Sequence, residues 1–368
     1  MPTLFEAYKI GGLELPNRIV IAPMCQYSAV DGSMNDWHLA HLGTLAASKA
    51  GLLVFEATHV SPEGRITHGC AGLYSDENEA AMRRVVELCR TVSDIPLGVQ
   101  IGHAGRKAST ARPWQGRGAL GPDDNPWQTV APSALPANDG WHVPRELTAT
   151  DLAAIRDAFV GSTLRALRIG FDLVELHAAH GYLMHQFLSP ISNQRDDEWG
   201  GDAERRMRFP LEVAAAVREV WPRDRALGAR ITGTDWREDG LGPQDAITFA
   251  ARLKDIGYDF VCVSSGGIGG VTQFAVEPGY QVHLAEAVRK GAGIPTRAVG
   301  MIIDPHHAQQ IIAEGRADMV ALARGFLDNP RWVWHAAESL GTDLELLPQY
   351  QRAGHKLWAG AAIARPAD

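Results

Sequence analysis

Short apolar runs rich in β-branched residues alternate along this chain with longer stretches whose apolar residues recur every three or four positions. The short runs predict strands over Ile19 to Ala22, Leu52 to Ala57, Leu97 to Ile101 and Leu173 to Leu176, then over Ala226 to Ile231, Phe260 to Val263, Thr296 to Val299 and Met319 to Leu322. Helical patterns lie between them, among them Glu77 to Thr91, Ala149 to Ile169, Asp202 to Val220, Pro243 to Ile256 and Pro305 to Glu314. Alternation of this kind means parallel strands, and eight units predict an α/β fold of one particular form, a single (β/α)8 TIM barrel. The rival is a doubly wound open sheet. That fold would carry a Gly-rich loop after an early strand, whereas the first strand here runs into Pro23-Met24-Cys25.

Two segments break the alternation. Tyr8 to Leu15 places Gly11-Gly12 between apolar runs and predicts a hairpin ahead of the first barrel strand, positioned to plug the lower end of the barrel. Gly102 to Thr148, after the third strand, is rich in Pro, Gly and Trp and has no helical period. A loop that long is functional or carries small elements of its own, and this one leaves the strand-exit face where barrel active sites lie. The expected organisation is one domain over 1–368, with 347–368 as a C-terminal interface tail.

Composition narrows the function. A net charge of −8 argues against nucleic-acid or anionic-membrane partners, and no apolar run approaches the roughly 20 residues needed to span a bilayer. The N-terminus lacks the charged-then-apolar layout of a signal peptide. Cys25, Cys70, Cys89 and Cys262 are widely spaced with no Cys-x-x-Cys pair, which disfavours a zinc site, an iron–sulfur cluster or a disulfide framework and suits a reducing cytoplasm.

The chemistry gathers where strands end. The fourth strand exits into Glu175-Leu176-His177-Ala178-Ala179-His180-Gly181-Tyr182, two imidazoles and a phenol able to hold a ligand oxygen and deliver a proton. The first strand exits into Ala22-Pro23-Met24-Cys25-Gln26-Tyr27 and the second ends in Glu56-Ala57-Thr58. The third carries Gln100 and ends near His103, and the seventh ends at Gly300. The eighth runs through Ala323 into Arg324. On a barrel all of these converge on one face. Arg230, a permanent charge inside the fifth strand, needs an anionic or polar partner: an internal ion pair with Glu175, or a ligand. Arg230 and Gln100 suit a planar heterocycle, and Gly300 with Arg324 suit a phosphate. These features alone leave flavin mononucleotide and pyridoxal phosphate open, although only Lys107 lies near a strand end for a Schiff base. His177 and His180 could also hold a metal ion, with His103 or Glu56 as third ligand, which would make a barrel hydrolase.

The same residues resemble the old yellow enzyme family of flavin-dependent ene-reductases. The resemblance runs in order through Ala22 to Tyr27, Glu56-Ala57-Thr58, Gln100 to Lys107, His177 to Tyr182, Phe187-Leu188-Ser189-Pro190, Asn193, Arg195 and Gly200-Gly201. Cys25 with Tyr27, and His180 at the second histidine position, resemble its thermophilic-like subclass, which includes xenobiotic reductase. It implies a barrel holding non-covalent FMN, reduced by NADPH or NADH in a ping-pong cycle that reduces activated alkenes. It implies that Ala22, Pro23, Met24, Cys25, Ala57, Gln100, Arg230, Gly300, Ala323 and Arg324 bind the cofactor, with Cys25 tuning its redox behaviour. By the same resemblance, His177 and His180 polarise the substrate carbonyl or nitro group, Tyr182 protonates the α-carbon, and Tyr27 contacts substrate. Arg352 in the tail is implied to reach a neighbouring subunit's site, in a homodimer or dimer of dimers. Two features depart from the pattern: Ala323 stands where the family often has Gly, and the chain continues past the tail arginine to Trp358. Related barrels such as dienoyl-CoA reductases and amine dehydrogenases add a cysteine cluster that this chain lacks.

Overall fold

Parallel strands buried on both faces read as unbroken apolar runs, and their alternation appears only in which way each side chain points. The computed structural model describes residues 1–116, 118–270 and 274–364, and every predicted barrel strand forms in it. A hairpin of β1 (Tyr8–Ile10) and β2 (Leu13–Leu15) precedes β3 (Ile19–Ile21), β4 (Leu52–His59) and β5 (Leu97–Gly102). Two short strands follow in the long loop, β6 (Val130–Ala131) and β7 (Arg145–Glu146), and then β8 (Leu173–Ala178) and β9 (Ala226–Thr232). The last are β10 (Phe260–Ser264), β11 (Thr296–Ala298) and β12 (Met319–Leu322). The barrel closes in the order β10-β11-β12-β3-β4-β5-β8-β9, all parallel.

Within it, Val99, Ile101, Val174, Leu176, Ala229, Ile231, Val261 and Val263 face the helices. Their neighbours Leu52, Val54, Leu173, Ala226, Phe260 and Met319 face the interior. The interior therefore changes character along each strand. Its lower layer is apolar, its middle holds Gln100, Glu175 and Arg297, and its exit end holds His177, Arg230 and Ser264. The hairpin seals the lower end, where Ile10 and Leu15 are buried against the first residues of the strands.

The predicted helices form within a residue or two, and caps set their ends. Thr148 and Asp151 make a capping box at Ala149–Ile169, and Gly170, at φ 97°, ends it. Asp202 is the N-cap of the helix Ala203–Val220 and not its first residue. The helix Val282–Ala292 and the helix Asp36–Ala46 complete the outer layer. The loop after β5 carries the 3-10 turns Gly105–Lys107, Pro113–Gln115 and Pro122–Asp124. Arg106 pins it over the strand-exit face by donating to the carbonyls of Leu135, Pro136 and Ile268.

The tail folds back on the body. Its 3-10 turn Pro348–Ala353 packs Tyr350 against Trp334 at 5.2 Å, with Arg331 over both rings, and Lys356 pairs with Asp343. Arg352 is exposed on that turn. Among the described residues no helix is long and apolar enough to cross a membrane.

Candidate active site

The site begins in the middle layer of the barrel with a buried ion pair. Arg297 on β11 and Glu175 on β8 are both fully buried, and the guanidinium donates to one carboxylate oxygen. The other oxygen accepts from Gln100 Nε2 at 2.7 Å. Arg297 also lies over the Phe260 ring at 5.2 Å. Phe260 fits there because Gly228 has no Cβ; one would stand 2.2 Å from the ring. Of the two partners considered for Arg230, the internal pair with Glu175 does not form: Glu175 is already committed to Arg297. Gln100 is turned by the same carboxylate, which takes its amide nitrogen and leaves its oxygen, an acceptor, for anything above.

Arg230 is left over. It sits beside His177 in the register of β8 and β9, its Nε is buried without a partner, and no carboxylate among the described residues pairs with it or with Arg324. Burial raises the Tyr280 phenol, and the Arg324 and Arg230 charges both oppose that rise, so both cations lie within electrostatic reach of one hydroxyl. Gly300 lies beside Tyr280 at φ 115°, where a Cβ would come 2.9 Å from Gln281 Nε2. A buried polar atom with no partner calls for one. Two uncompensated cations beside a glycine and an outward amide oxygen fit an anionic, planar, phosphorylated group such as FMN.

Above them stand three rings. His177 lies 5.2 Å from His180 and 4.9 Å from Tyr182, nearly edge-on to both. His177 Nδ1 accepts the Ala179 N–H, which puts its proton on Nε2 and makes that nitrogen a donor. Burial, with Arg230 next, holds both imidazoles well below the usual histidine range, so both are neutral at pH 7. His180 Nε2 is engaged by Ser264 Oγ at 2.7 Å, leaving Nδ1 for a ligand. The Ser264 hydroxyl has two acceptors in reach: Gln281 Oε1 at 3.2 Å, which also accepts from Ser265 at 2.6 Å, and His180 Nε2; donation to His180 puts that ring's proton on Nδ1. Burial pushes the Tyr182 phenol well up, so it keeps its proton. Lys107 braces this turn by donating to His180 O at 2.8 Å and Gly267 O at 3.0 Å, over the Tyr182 ring.

The opposite wall comes from the exit of β3. Ala22 is buried, while Pro23, Met24, Cys25 and Tyr27 are half-buried. Burial raises the Cys25 thiol well above its ordinary range, with the Glu56 carboxylate adding to it, so it stays protonated. A register shift between Phe55 and Ala57 makes Glu56 a bulge residue in β4. Its carboxylate faces His38 at 3.3 Å and accepts the Gln26 N–H at 3.1 Å, which anchors the Cys25–Tyr27 segment, while Ala57 stays buried at the register position of Gln100. Tyr27, at φ 52°, meets Trp114 edge-on at 6.0 Å. Ala323 is half-buried at the end of β12 and Arg324 is exposed beside it.

The structure thus gathers nearly every residue the sequence singled out. Arg352 is the exception: it lies on the tail turn docked on Trp334, and the neighbouring 342–345 stretch reaches Phe5 and Glu14 near the hairpin end. The metal reading finds no support, because its extra ligands face elsewhere. Glu56 is held by His38 and Gln26, and His103 Nδ1 accepts the Gly105 N–H. No group of three or more His, Cys, Asp or Glu among the described residues is placed to hold an ion. Sequence reasoning missed Arg297, although a charge between Thr296 and Ala298 in an apolar strand is the same signal that exposed Arg230.

Comparison with known proteins agrees with this geometry. The family described as NADH:flavin oxidoreductase / NADH oxidase matches residues 3–343. An NADPH dehydrogenase of Geobacillus thermodenitrificans (strain NG80-2) is 42% identical over 351 residues, 95% of this chain and 98% of that protein. The structure of morphinone reductase in complex with tetrahydroNAD superposes with a TM-score of 0.77 at 29% identity, covering 95% of this chain and 94% of that one. A 2-naphthoyl-CoA reductase, at 23% identity and TM-score 0.82, shares the fold over 92% of this chain and 52% of its own.

The buried pair yields a test. Arg297→Met leaves Glu175 charged and alone, which should cost about 3–5 kcal/mol in denaturant unfolding, whereas adding Glu175→Gln should recover a large part of it. A single variant as stable as the double would show that the pair carries no such coupling.

Proposed function

Because the chain belongs to the NADH:flavin oxidoreductase / NADH oxidase family and is an FMN-dependent NAD(P)H oxidoreductase of the old yellow enzyme type, we propose that it reduces activated C=C bonds of α,β-unsaturated carbonyl or nitro compounds. The observation that carries the reading is the unpaired Arg230 directly beside neutral His177, with a protonated phenol in ring contact.

FMN, when bound, would supply the hydride chemistry that couples NADPH or NADH to the β-carbon of the alkene in a ping-pong cycle. The chain's own residues do the rest. Arg230 holds negative charge at the ring edge, where a desolvated guanidinium is worth far more than in water. Gln100 would offer its amide oxygen to the ring, and Gly300 and Arg324 would hold the phosphate. Ala22, Pro23, Met24, Cys25, Ala57 and Ala323 would line the ring, with Cys25 contributing a neutral, polarizable thiol. His177 Nε2–H and His180 Nδ1–H donate to the substrate oxygen and draw electron density from the alkene. Two neutral donors suit this work: an imidazolium beside Arg230 would be repelled, and burial has already removed that state. Tyr182 gives its proton to the α-carbon, and Tyr27 contacts the substrate from the opposite wall. The sites are read on one barrel domain spanning 1–368, in a cytoplasmic dimer or dimer of dimers whose 347–368 tail carries Arg352 to a neighbouring pocket. That direction is consistent with an exposed Arg352 whose turn lies away from its own site.

The purified protein should be yellow, with flavin absorbance. Arg230→Leu should bind FMN about tenfold or more weakly, or hold it at a lower reduction potential, since one charge-assisted contact to a desolvated ligand is worth about 1.5–3 kcal/mol. Wild-type affinity and potential together would remove Arg230 from the cofactor site.

His177→Asn and His180→Asn should keep FMN and lose phenol binding and cyclohexenone reduction by about 10²-fold or more each, the scale set by losing one oxyanion donor. If the double variant turns over cyclohexenone at the wild-type rate, the histidines have another role.

Truncation after Leu347 should weaken the dimer and raise KM together, because interface burial and substrate positioning go at once. Gel filtration and steady-state kinetics on the truncated chain check it: an intact dimer with unchanged KM would leave the tail dispensable.

A further inference from the structure

Behind the three rings lies another buried histidine, His185, which makes no ring contact with them among the described residues. His185, in the short helix Leu183–Leu188, and Asp235, after β9, are both fully buried. Asp235 Oδ1 stands 2.9 Å from His185 Nε2 as an ion-pair contact, and among the described residues neither atom has a hydrogen-bond partner. The other carboxylate oxygen accepts from Ser189 Oγ at 2.8 Å and from the Leu241 N–H at 2.9 Å, which fixes the carboxylate itself. On the far side of the ring, His185 Nδ1 accepts the Gly181 N–H at 2.7 Å. The Thr232 hydroxyl lies 3.3 Å from the same nitrogen and accepts the His180 N–H at 3.3 Å.

We infer that Asp235 and His185 are positioning residues, a tautomer latch that fixes the turn carrying His180 and Tyr182. The inference rests on the proposed function only for what those two residues do. The turn needs a latch. His180 and Gly181 are both left-handed, at φ 60° and 71°, and the first has a side chain that disfavours that region. Gly181 has no freedom to move outward either, since a Cβ there would stand 2.0 Å from Gly267 O. What holds its amide is His185 Nδ1, and only while that nitrogen carries no proton. A neutral imidazole has one N–H. A carboxylate can only accept, so it keeps that proton on Nε2 and leaves Nδ1 open to Gly181. An amide in the same place can donate to Nε2. The proton then moves to Nδ1, two N–H groups face each other, and the turn loses its anchor.

Asp235→Asn is therefore the sharp test, because it preserves shape and changes only which group donates. Nitrogen-15 NMR of the FMN-loaded protein should show His185 switching from the Nε2–H to the Nδ1–H form. Gly181 amide exchange should quicken by about tenfold or more, phenol affinity should fall about 10- to 100-fold, the usual range for losing an orienting partner, and FMN content should hold. An unchanged tautomer with unchanged Gly181 protection would overturn the latch. A switched tautomer and faster Gly181 exchange with wild-type phenol affinity would uphold the latch and overturn the ligand role of His180 instead. Should Asp235→Asn fail to fold, His185→Asn provides the second arm. Its side-chain oxygen replaces Nδ1 as an acceptor that needs no tautomer, so Gly181 protection and phenol affinity should stay within about threefold of wild type, and loss of that protection would overturn the inference.

Discussion

Everything at the exit end of this barrel depends on which arginine Glu175 is given. Two arginines point into the interior, and there is one carboxylate between them. Arg297 takes it, from a strand on the far side of the barrel. The pair is electrically closed, so it can stay buried among Phe260, Cys262 and Gln100 without a further counter-ion. Its consequence is felt one layer higher. Arg230 has no internal partner, and its charge remains available at the mouth. Had Glu175 neutralised Arg230, the exit layer would lose that charge, and Arg297 would be the uncompensated group instead, one layer deeper in the barrel.

The same carboxylate orders its neighbour. Gln100 could present either end of its amide upward, and Glu175 selects the oxygen by accepting from the nitrogen. One buried ion pair thus fixes the sign of a charge and the direction of a dipole on the floor of the site. Burial then fixes the protonation states above it: the imidazoles stay neutral, and the phenol and the Cys25 thiol keep their protons. The site is a set of neutral donors arranged around two uncompensated cations, Arg230 and Arg324.

Histidines also recur as structural parts behind the candidate site. His38 and His185 each accept a backbone N–H on Nδ1, from Asn35 and Gly181, and each turns Nε2 toward a buried carboxylate. The first braces the wall of Cys25 and Tyr27 through Glu56, the second the wall of His180 and Tyr182. Both walls are loops in strained or irregular backbone, and both are tied to rigid elements by one imidazole. The geometry of the candidate site is held from behind by buried groups in the layer below its walls.

Much of this is legible in the sequence, because barrel strands and their exits are local events. Apolar runs of the right length specify the eight strands, caps and glycines specify the helix ends, and polar residues one step past each run mark the site. Gly11-Gly12 predicts the hairpin for the same reason. What the sequence cannot contain is pairing across the barrel. Glu175 and Arg230 lie on adjacent strands and suggest each other, but the partner of Glu175 is 122 residues away on β11. The bulge that turns Glu56 toward His38, and the tautomers set by Gly181 and Asn35, likewise exist only once distant segments are brought within hydrogen-bonding range. Periodicity is written residue by residue and survives in one dimension. Which buried charge meets which is decided by barrel closure and strand register, because a pairing energy that falls within a few ångströms has no meaning until the chain has folded.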